Sequence, residues 1–415
     1  MNFKAVAVVI LWAVYLYGLF LDIVRYRSVR NPIPQNVADV YDQDTYLKWK
    51  AYHGEKVRFG IFSSAAGFVI DLVLILTDAY AAFARLFPDQ VWWQLFAVML
   101  LSALATLPLI PFSWYDTMHI EERYGFNRTS GKTFVGDQIK QFILNLLLMV
   151  GLASLVMGLH KSFGDWLIVA FAVFATLFAL FITFLFPFFS RIFNKFTPLP
   201  DGELKEGITA LLEKNGYKVR AIQVMDASRR STKSNAYFTG FGKMKTIVLY
   251  DTLVAAMTTD EILAVFAHEM GHGLHKDTLK NQALTFLQML ALGLLAWATL
   301  QYPEIFRSFG FEGVNYGFAV LLILSVEFAL VSPLFGLVMS WFSRRAEYRA
   351  DAQAVKEGYG AALVSALKKL AKENFSDLSP SPILVALEYS HPTLSQRIEA
   401  IEAFSGEAAS RTIQG

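Results

Sequence analysis

Cysteine is absent from all 415 residues, histidine occurs only seven times, and charged residues make up just 17% of the chain. The missing cysteine excludes disulfides, thiolate metal ligands and lipidated thiols. A net charge of +2 provides no basic surface on which to expect nucleic acid as a partner. Apolar residues take the place of charge. They form 55% of the chain, and mean hydropathy is +0.41, well to the membrane side of a soluble average.

Apolar runs fall at 3–24, 58–84, 92–113, 139–160, 166–190, 282–300 and 316–341. Each approaches the roughly twenty residues that a helix needs to cross a bilayer. They predict a mainly α, polytopic integral membrane protein with about seven spans. The first run reads as a retained span: it is too long for a signal peptide, lacks a small-x-small site, and closes on Arg25 and Arg27. Basic residues set the orientation. Arg25, Arg27, Arg30, Lys48, Lys50 and Lys56 follow span one, and Arg123, Arg128, Lys132 and Lys140 follow span three. The opposite side has only Lys4, Arg85, Lys161 and Arg307. By the positive-inside rule the first group is cytoplasmic, as are 191–281 and the tail after 341.

Between two apolar runs lies His268-Glu269-Met270-Gly271-His272. Residues four apart share a helix face, so the two imidazoles can meet one metal ion. Glu269, one step round, can act as general base on a water. Thr258 and Glu261 have capping-box spacing and mark the start of the helix. Its helical pattern is expected to run through Asp277–Gln282 into the sixth span, which places His272 roughly 15 Å from the membrane edge.

A catalytic zinc takes three protein ligands. The best distant candidate is Glu347, a few residues past the seventh span, with Asp351 one turn on, able to fix the tautomer of a ligating histidine. The alternative is a solvated helix of ordinary Arg/Glu pairs. His53, His119 and His160 read as solvated or interfacial. His391 follows Ser390 and precedes Pro392, which fits a capped helix that carries Arg397 two turns along. Short β-type runs at Arg220–Asp226, Asn235–Phe238 and Thr246–Tyr250, the last two joined by a turn around Gly240, Gly242 and Lys243, precede the metal helix. An edge strand there would hold an extended peptide; a plain structural hairpin is the competing reading.

Together these features resemble the Ste24 type of integral-membrane zinc metalloprotease, the CAAX prenyl protease 1 family. The likeness rests on Glu121-Glu122-Arg123-Tyr124-Gly125-Phe126-Asn127, Phe193-Asn194-Lys195-Phe196-Thr197-Pro198-Leu199 and Ser234-Asn235-Ala236-Tyr237-Phe238. It extends to His268–His272, Glu347 with Asp351, and His391-Pro392 with Arg397. The resemblance implies about seven helices around a water-filled chamber, with a zincin-like α+β metallopeptidase domain on the cytoplasmic side. It implies one zinc ion on His268, His272 and Glu347, with Glu269 activating water and Asp351 orienting a ligand. Asn235, Ala236 and Tyr237 would bind substrate, and His391 and Arg397 would assist at the scissile carbonyl.

The expected segments are 1–190 (five spans), 191–281 (hairpin and metal helix), 282–341 (two spans) and 342–415 (third ligand and closing helices). Asp71, Asn145 and Glu327 would line the chamber, or bond between helices instead. Pro333 should kink the last span. The implied partners are the lipid bilayer and a peptide or lipidated-peptide substrate; no oligomer is indicated, and a monomer is plausible. Two competing readings are a quality-control protease of the HtpX type and a non-catalytic membrane chamber. A tail without a retrieval signal points to a bacterial inner membrane over the endoplasmic reticulum.

Overall fold

Long apolar stretches with few helix breakers give this chain its helices. The computed structural model describes residues 2–127, 129–229, 235–239 and 246–414. Arg128, Ser234, Gly240, Gly242 and Lys243, named above, lie outside that set. In the first half the main helices are α1 (Phe3–Ser28), α2 (Gln43–Leu76), α3 (Val91–Leu104), α4 (Gly131–Phe163) and α5 (Leu167–Phe193). There follow β1 (Phe196–Pro198), α6 (Glu203–Lys214), β2 (Ala221–Met225), β3 (Ala236–Thr239) and β4 (Thr246–Tyr250). Then come α7 (Thr259–Leu274), α8 (Asp277–Gln301), α9 (Phe328–Lys356), α10 (Gly360–Glu373) and α11 (Leu394–Gln414).

Among the described residues, six helical stretches are long and apolar enough to cross a membrane. One of them, Gly131–Phe178, has 48 residues. At 1.5 Å per residue that is ~70 Å, more than twice a hydrocarbon core. It breaks at Gly164, where φ is 53° and a short 3-10 turn runs to Trp166. The fourth expected span falls in this stretch, and the fifth begins in it.

Two compact units are assembled from separate pieces of chain. The first comprises Met1–Tyr26, Tyr52–Thr176 and Ala283–Gly336. Its core is apolar, with Leu95, Met99, Leu167, Phe306 and Phe318 fully buried. Gly317 brings its helix close to α3, where a Cβ would sit 2.8 Å from the Leu95 carbonyl oxygen. The outward faces are also apolar: Ile143, Leu144, Leu147 and Leu148 on α4 are exposed, as suits a lipid-facing surface. The Glu121–Asn127 stretch is fastened to α2 by charge. Lys56 Nζ lies 2.7 Å from Asp116 and 2.9 Å from Glu121, and Arg123 lies 2.7 Å from Glu55.

The intramembrane polar residues divide. Asp71 lines a cavity of about 260 Å³ with Ser102, Thr106 and Ser325. Glu327 accepts a 2.7 Å hydrogen bond from Thr299, and Asn145 is exposed on α4. Pro333 sits inside α9, and a π-turn over Ile323–Glu327 directly precedes that helix.

The second unit comprises Arg27–Ala51, Leu177–Gln282 and Leu337–Gly415. Its sheet has the order β1-β2-β4-β3, with β2 and β4 parallel and both outer pairings antiparallel. The sequence reading missed β1, three residues that pair with β2. Along β4, Ile247 and Leu249 pack into a core with α6, α7 and α10, while Val248 faces the other side with Met225. The sheet thus forms a floor on which α7 lies.

Candidate metal centre

Helix α7 begins where its sequence dictates. Thr258 Oγ1 accepts from the Glu261 backbone N–H, and the Glu261 carboxylate accepts from the Thr258 N–H, a reciprocal capping box. Glu261 is 5% exposed and also receives Ser365 Oγ at 2.6 Å and Lys369 Nζ at 2.7 Å. Burial works to raise its pKa, but these donors outweigh it and hold the carboxyl at about 2. The start of the metal helix is thereby clamped to α10.

The helix does not continue into α8 as expected. It ends at Leu274, Lys276 takes a left-handed φ of 55°, and α8 starts afresh at Asp277. This turn swings Asp277 back toward the helix it follows. Its Oδ2 lies 3.2 Å from His272 Nδ1, while Arg349 donates to its Oδ1 at 2.8 Å. Asp277 is 6% exposed. Burial opposes its ionisation, and the bonds to His272 and Arg349 more than compensate, lowering its pKa. Asp277 and Arg349 were missed in the sequence, because five residues separate Asp277 from His272 and a continuous helix would point them apart.

Helix α9 carries Glu347 to the two imidazoles. Its carboxylate oxygens lie 3.6 Å from His268 Nε2 and 3.3 Å from His272 Nε2. One donor atom from each residue falls within 4.8 Å of the others. Gly271 permits this approach: a Cβ there would meet the Ala350 Cα at 2.8 Å. A four-coordinate divalent ion bonded at about 2.0–2.1 Å separates its donors by roughly 3.3 Å, so the set fits such an ion. A further sign is Glu347 Oε2, which is buried without a hydrogen-bond partner, although Arg397 lies 3.3 Å away. A bound cation would satisfy it. Before an ion binds, burial lowers the His272 pKa, but the hydrogen bond to Glu347 and the charge of Glu269 dominate and raise it to about 9.

Around this centre, Asp351 is fully buried and takes His268 Nδ1 at 2.8 Å and Arg397 at 2.6 and 2.9 Å. Arg397 is thus a buried clamp on Asp351. His391 is the exposed member, with Nε2 3.4 Å from Glu347 and Nδ1 2.9 Å from Ser390 Oγ. Glu269 lines a cavity of about 210 Å³ with His268, Glu347, His391, Asn235 and Ala236. Among the described residues its carboxylate has no hydrogen bond, which leaves it open to a water. Tyr237 points to the other face of the sheet, edge-on to Tyr250 with ring centroids 6.2 Å apart, and so does not line this cavity. His53, His119 and His160 belong to the first unit, where His160 contacts the Tyr316 hydroxyl at 3.0 Å.

Known proteins resemble this chain along nearly its whole length. The sequence model of the CAAX prenyl protease N-terminal region, five membrane helices, matches residues 22–195. That of peptidase family M48 matches residues 198–405. The chain is 34% identical to the CAAX prenyl protease 1 homolog of Arabidopsis thaliana, over 94% of this chain and 95% of the relative. It is 31% identical to CAAX prenyl protease 1 of Saccharomyces cerevisiae, over 95% and 94% respectively. The crystal structure of S. mikatae Ste24p superposes with a TM-score of 0.89 and 29% identity, covering 97% of this chain and 99% of that one.

These relatives support a metalloprotease over the quality-control and non-catalytic readings. They also correct one expectation. The relatives are eukaryotic, from plant, yeast and human, which opposes the bacterial inner membrane. A missing retrieval signal carried no weight, because such a signal is an address read by a receptor and not a part of the membrane fold. The multi-pass placement itself stands. The chain belongs to peptidase family M48, in its CAAX prenyl protease branch with an N-terminal membrane region, and is a membrane metalloprotease.

Proposed function

We propose that His268, His272 and Glu347 hold a single zinc ion, and that the protein cleaves peptide bonds near the C-terminus of lipidated, CAAX-type polypeptides. One observation carries the reading: two imidazoles and a carboxylate with an unsatisfied buried oxygen converge within 4.8 Å, beside the unbonded carboxylate of Glu269. This donor set is that of a hydrolytic zinc site that keeps one position for water.

A zinc ion there would polarise a peptide carbonyl and make water acidic near neutral pH. Glu269 takes the proton from that water and returns it to the leaving amine, general base and then general acid. Asp351 and Asp277 accept the Nδ1 protons of His268 and His272, which aims both Nε2 atoms at the ion. Ala236 lines the cavity on the edge strand, where an extended substrate would lie, and the Asn235 side chain beside it accepts the Ala236 N–H at 2.8 Å, a bond that substrate can take over. His391 is placed to meet the carbonyl oxygen, and Arg397 positions Asp351. The substrate class follows from the relatives, whose names state CAAX prenyl protease activity, and the basic loops put the site on the cytoplasmic face.

The test is cleavage of a farnesylated CAAX peptide and its unlipidated twin by purified protein, with and without chelator. Glu269→Gln should keep stoichiometric zinc by elemental analysis and lose cleavage roughly a hundred- to ten-thousandfold, the range that proton transfer supplies. Substantial turnover by Glu269→Gln would remove it as the base. Equal cleavage of the unlipidated twin would remove the lipid from the substrate description.

A further inference from the structure

The loop between α1 and α2 is not spare chain. Within the second unit it and the start of α2 enclose a polar cavity of about 370 Å³ lined by Arg30, Asn31, Asp42, Gln43, Tyr46 and Lys50, with apolar neighbours. The Arg30 guanidinium is exposed and, among the described residues, pairs with nothing. Lys50 Nζ is held 4.4 Å above the Tyr46 ring, an arrangement that fixes the ammonium and leaves its protons unspent. The one acid in the lining is committed elsewhere: Asp42 accepts the Thr45 N–H at 2.8 Å and the Thr45 hydroxyl at 2.9 Å. Two uncommitted cations therefore share one wall with the Gln43 amide. That chemistry suits a phosphate oxygen.

The position of the cavity along the chain names the source of the phosphate. Arg30 follows the end of α1 at Ser28 by two residues, and Lys50 precedes the second apolar run at 58 by eight, about 12 Å of helix. Arg30 is six residues and Lys50 eight residues beyond the apolar runs of their helices, so both long side chains can reach back toward the headgroup layer at that end of the spans. We propose that this cavity binds the phosphate of an anionic glycerophospholipid in the cytoplasmic leaflet.

The loop also connects to the metal centre. Asn31 Nδ2 donates to the Ser379 carbonyl at 3.0 Å, and Ser379 Oγ donates to the Pro32 carbonyl at 2.7 Å. Asn36 and Ser395 exchange two hydrogen bonds, at 3.1 and 2.9 Å. Ser395 lies two residues before Arg397, the clamp on Asp351. Headgroup binding orders the segment that holds the first turn of α11, so lipid composition adjusts the second unit.

Native mass spectrometry of the full-length, metal-loaded protein released from nanodiscs tests this, with phosphatidylcholine alone or mixed with phosphatidylglycerol. Each cation near an anionic surface gives about fivefold, so two predict retention of one phosphatidylglycerol with a preference of about twenty-five-fold. Arg30→Gln with Lys50→Gln should lose that preference, while Arg30→Lys with Lys50→Arg should keep it. Zinc content and the gel-filtration profile establish that each variant is folded; if the double variant fails them, Arg30→Gln alone carries the comparison.

Thermal melting in detergent, with inorganic phosphate or glycerol 3-phosphate in place of lipid, separates the sources. The proposal expects phosphatidylglycerol to raise the midpoint of the wild type and free phosphates to leave it unmoved. Equal retention of phosphatidylglycerol by wild type and double variant overturns it, as does equal protection by free phosphate.

Discussion

Each imidazole of the metal centre has a carboxylate of its own, Asp351 for His268 and Asp277 for His272, and each carboxylate is in turn held by an arginine. Such partners fix ring orientation and typically matter ten- to a hundredfold in metal affinity. Asp277→Asn keeps an oxygen near His272 but removes the charge that Arg349 pairs with. Its zinc dissociation constant, read by competition with a chelating dye, should rise about ten- to a hundredfold. An unchanged constant would make Asp277 a bystander. Glu347→Ala should go further and leave the protein without stoichiometric zinc by elemental analysis; a full complement of metal would take Glu347 out of the ligand set. At this scale the sequence was legible where geometry is local. His268, Glu269 and His272 could be read from helical spacing, and Asp351 from its one-turn offset to Glu347. Asp277 could not be, since its role depends on the left-handed turn at Lys276, and nothing in a lysine announces that conformation.

Helices α7 and α9 meet through Gly271, so the metal site depends on the closeness of two backbones as much as on its ligands. Gly271→Ala would drive a methyl into the Ala350 backbone, and overpacking of this kind costs about 1–3 kcal/mol. Zinc affinity should fall roughly tenfold or more, while Gly136→Ala, which meets open space on α4, serves as the control. Equal affinities in the two variants would show that the helices yield without cost.

The start of α7 carries a pH dependence of its own. Glu261 is held at about 2 against an ordinary 4.5, so it contributes stability that is complete above 4.5 and is lost as pH falls toward 2. The contribution is about 1–3 kcal/mol, discounted because Lys369 is partly exposed. Glu261→Gln should therefore melt lower than wild type at pH 6, with the difference narrowing as pH drops through 4 to 3. A constant gap would place the effect in packing. The sequence announced the cap through Thr258 and Glu261, but not its clamp to Ser365 and Lys369, which lie more than a hundred residues away.

The chain builds its catalytic unit from three separated pieces, and the shortest, Arg27–Ala51, is the one that hydropathy reads only as a loop. Apolar runs made the membrane spans legible, because crossing a bilayer forces a length and a composition on each segment. Nothing comparable constrains a cytoplasmic loop, whose partners are reached through hydrogen bonds to backbone far along the chain. Tyr41 shares its hydroxyl between the Ala371 and Ser376 carbonyls at 3.0 and 2.9 Å, and Trp49 Nε1 donates to the Phe375 carbonyl at 3.2 Å. Both side chains are buried, so removing their donors costs hydrogen bonds worth about 0.5–1.5 kcal/mol each, although the Ala371 carbonyl keeps its bond from the Ser376 N–H. Tyr41→Phe with Trp49→Phe should thus lower the melting midpoint by several degrees, at ~2–4 °C per kcal/mol for a unit of this size. Hydrogen exchange locates the loss: protection should fall in 360–380 and around the first turn of α11, with α3 and α4 unchanged, because the hydrogen-bond partners of Tyr41, Trp49 and Asn36 lie in those segments. Uniform loss across both units would mean that the protein unfolds as one body, and that the three-piece construction has no separate energetic existence.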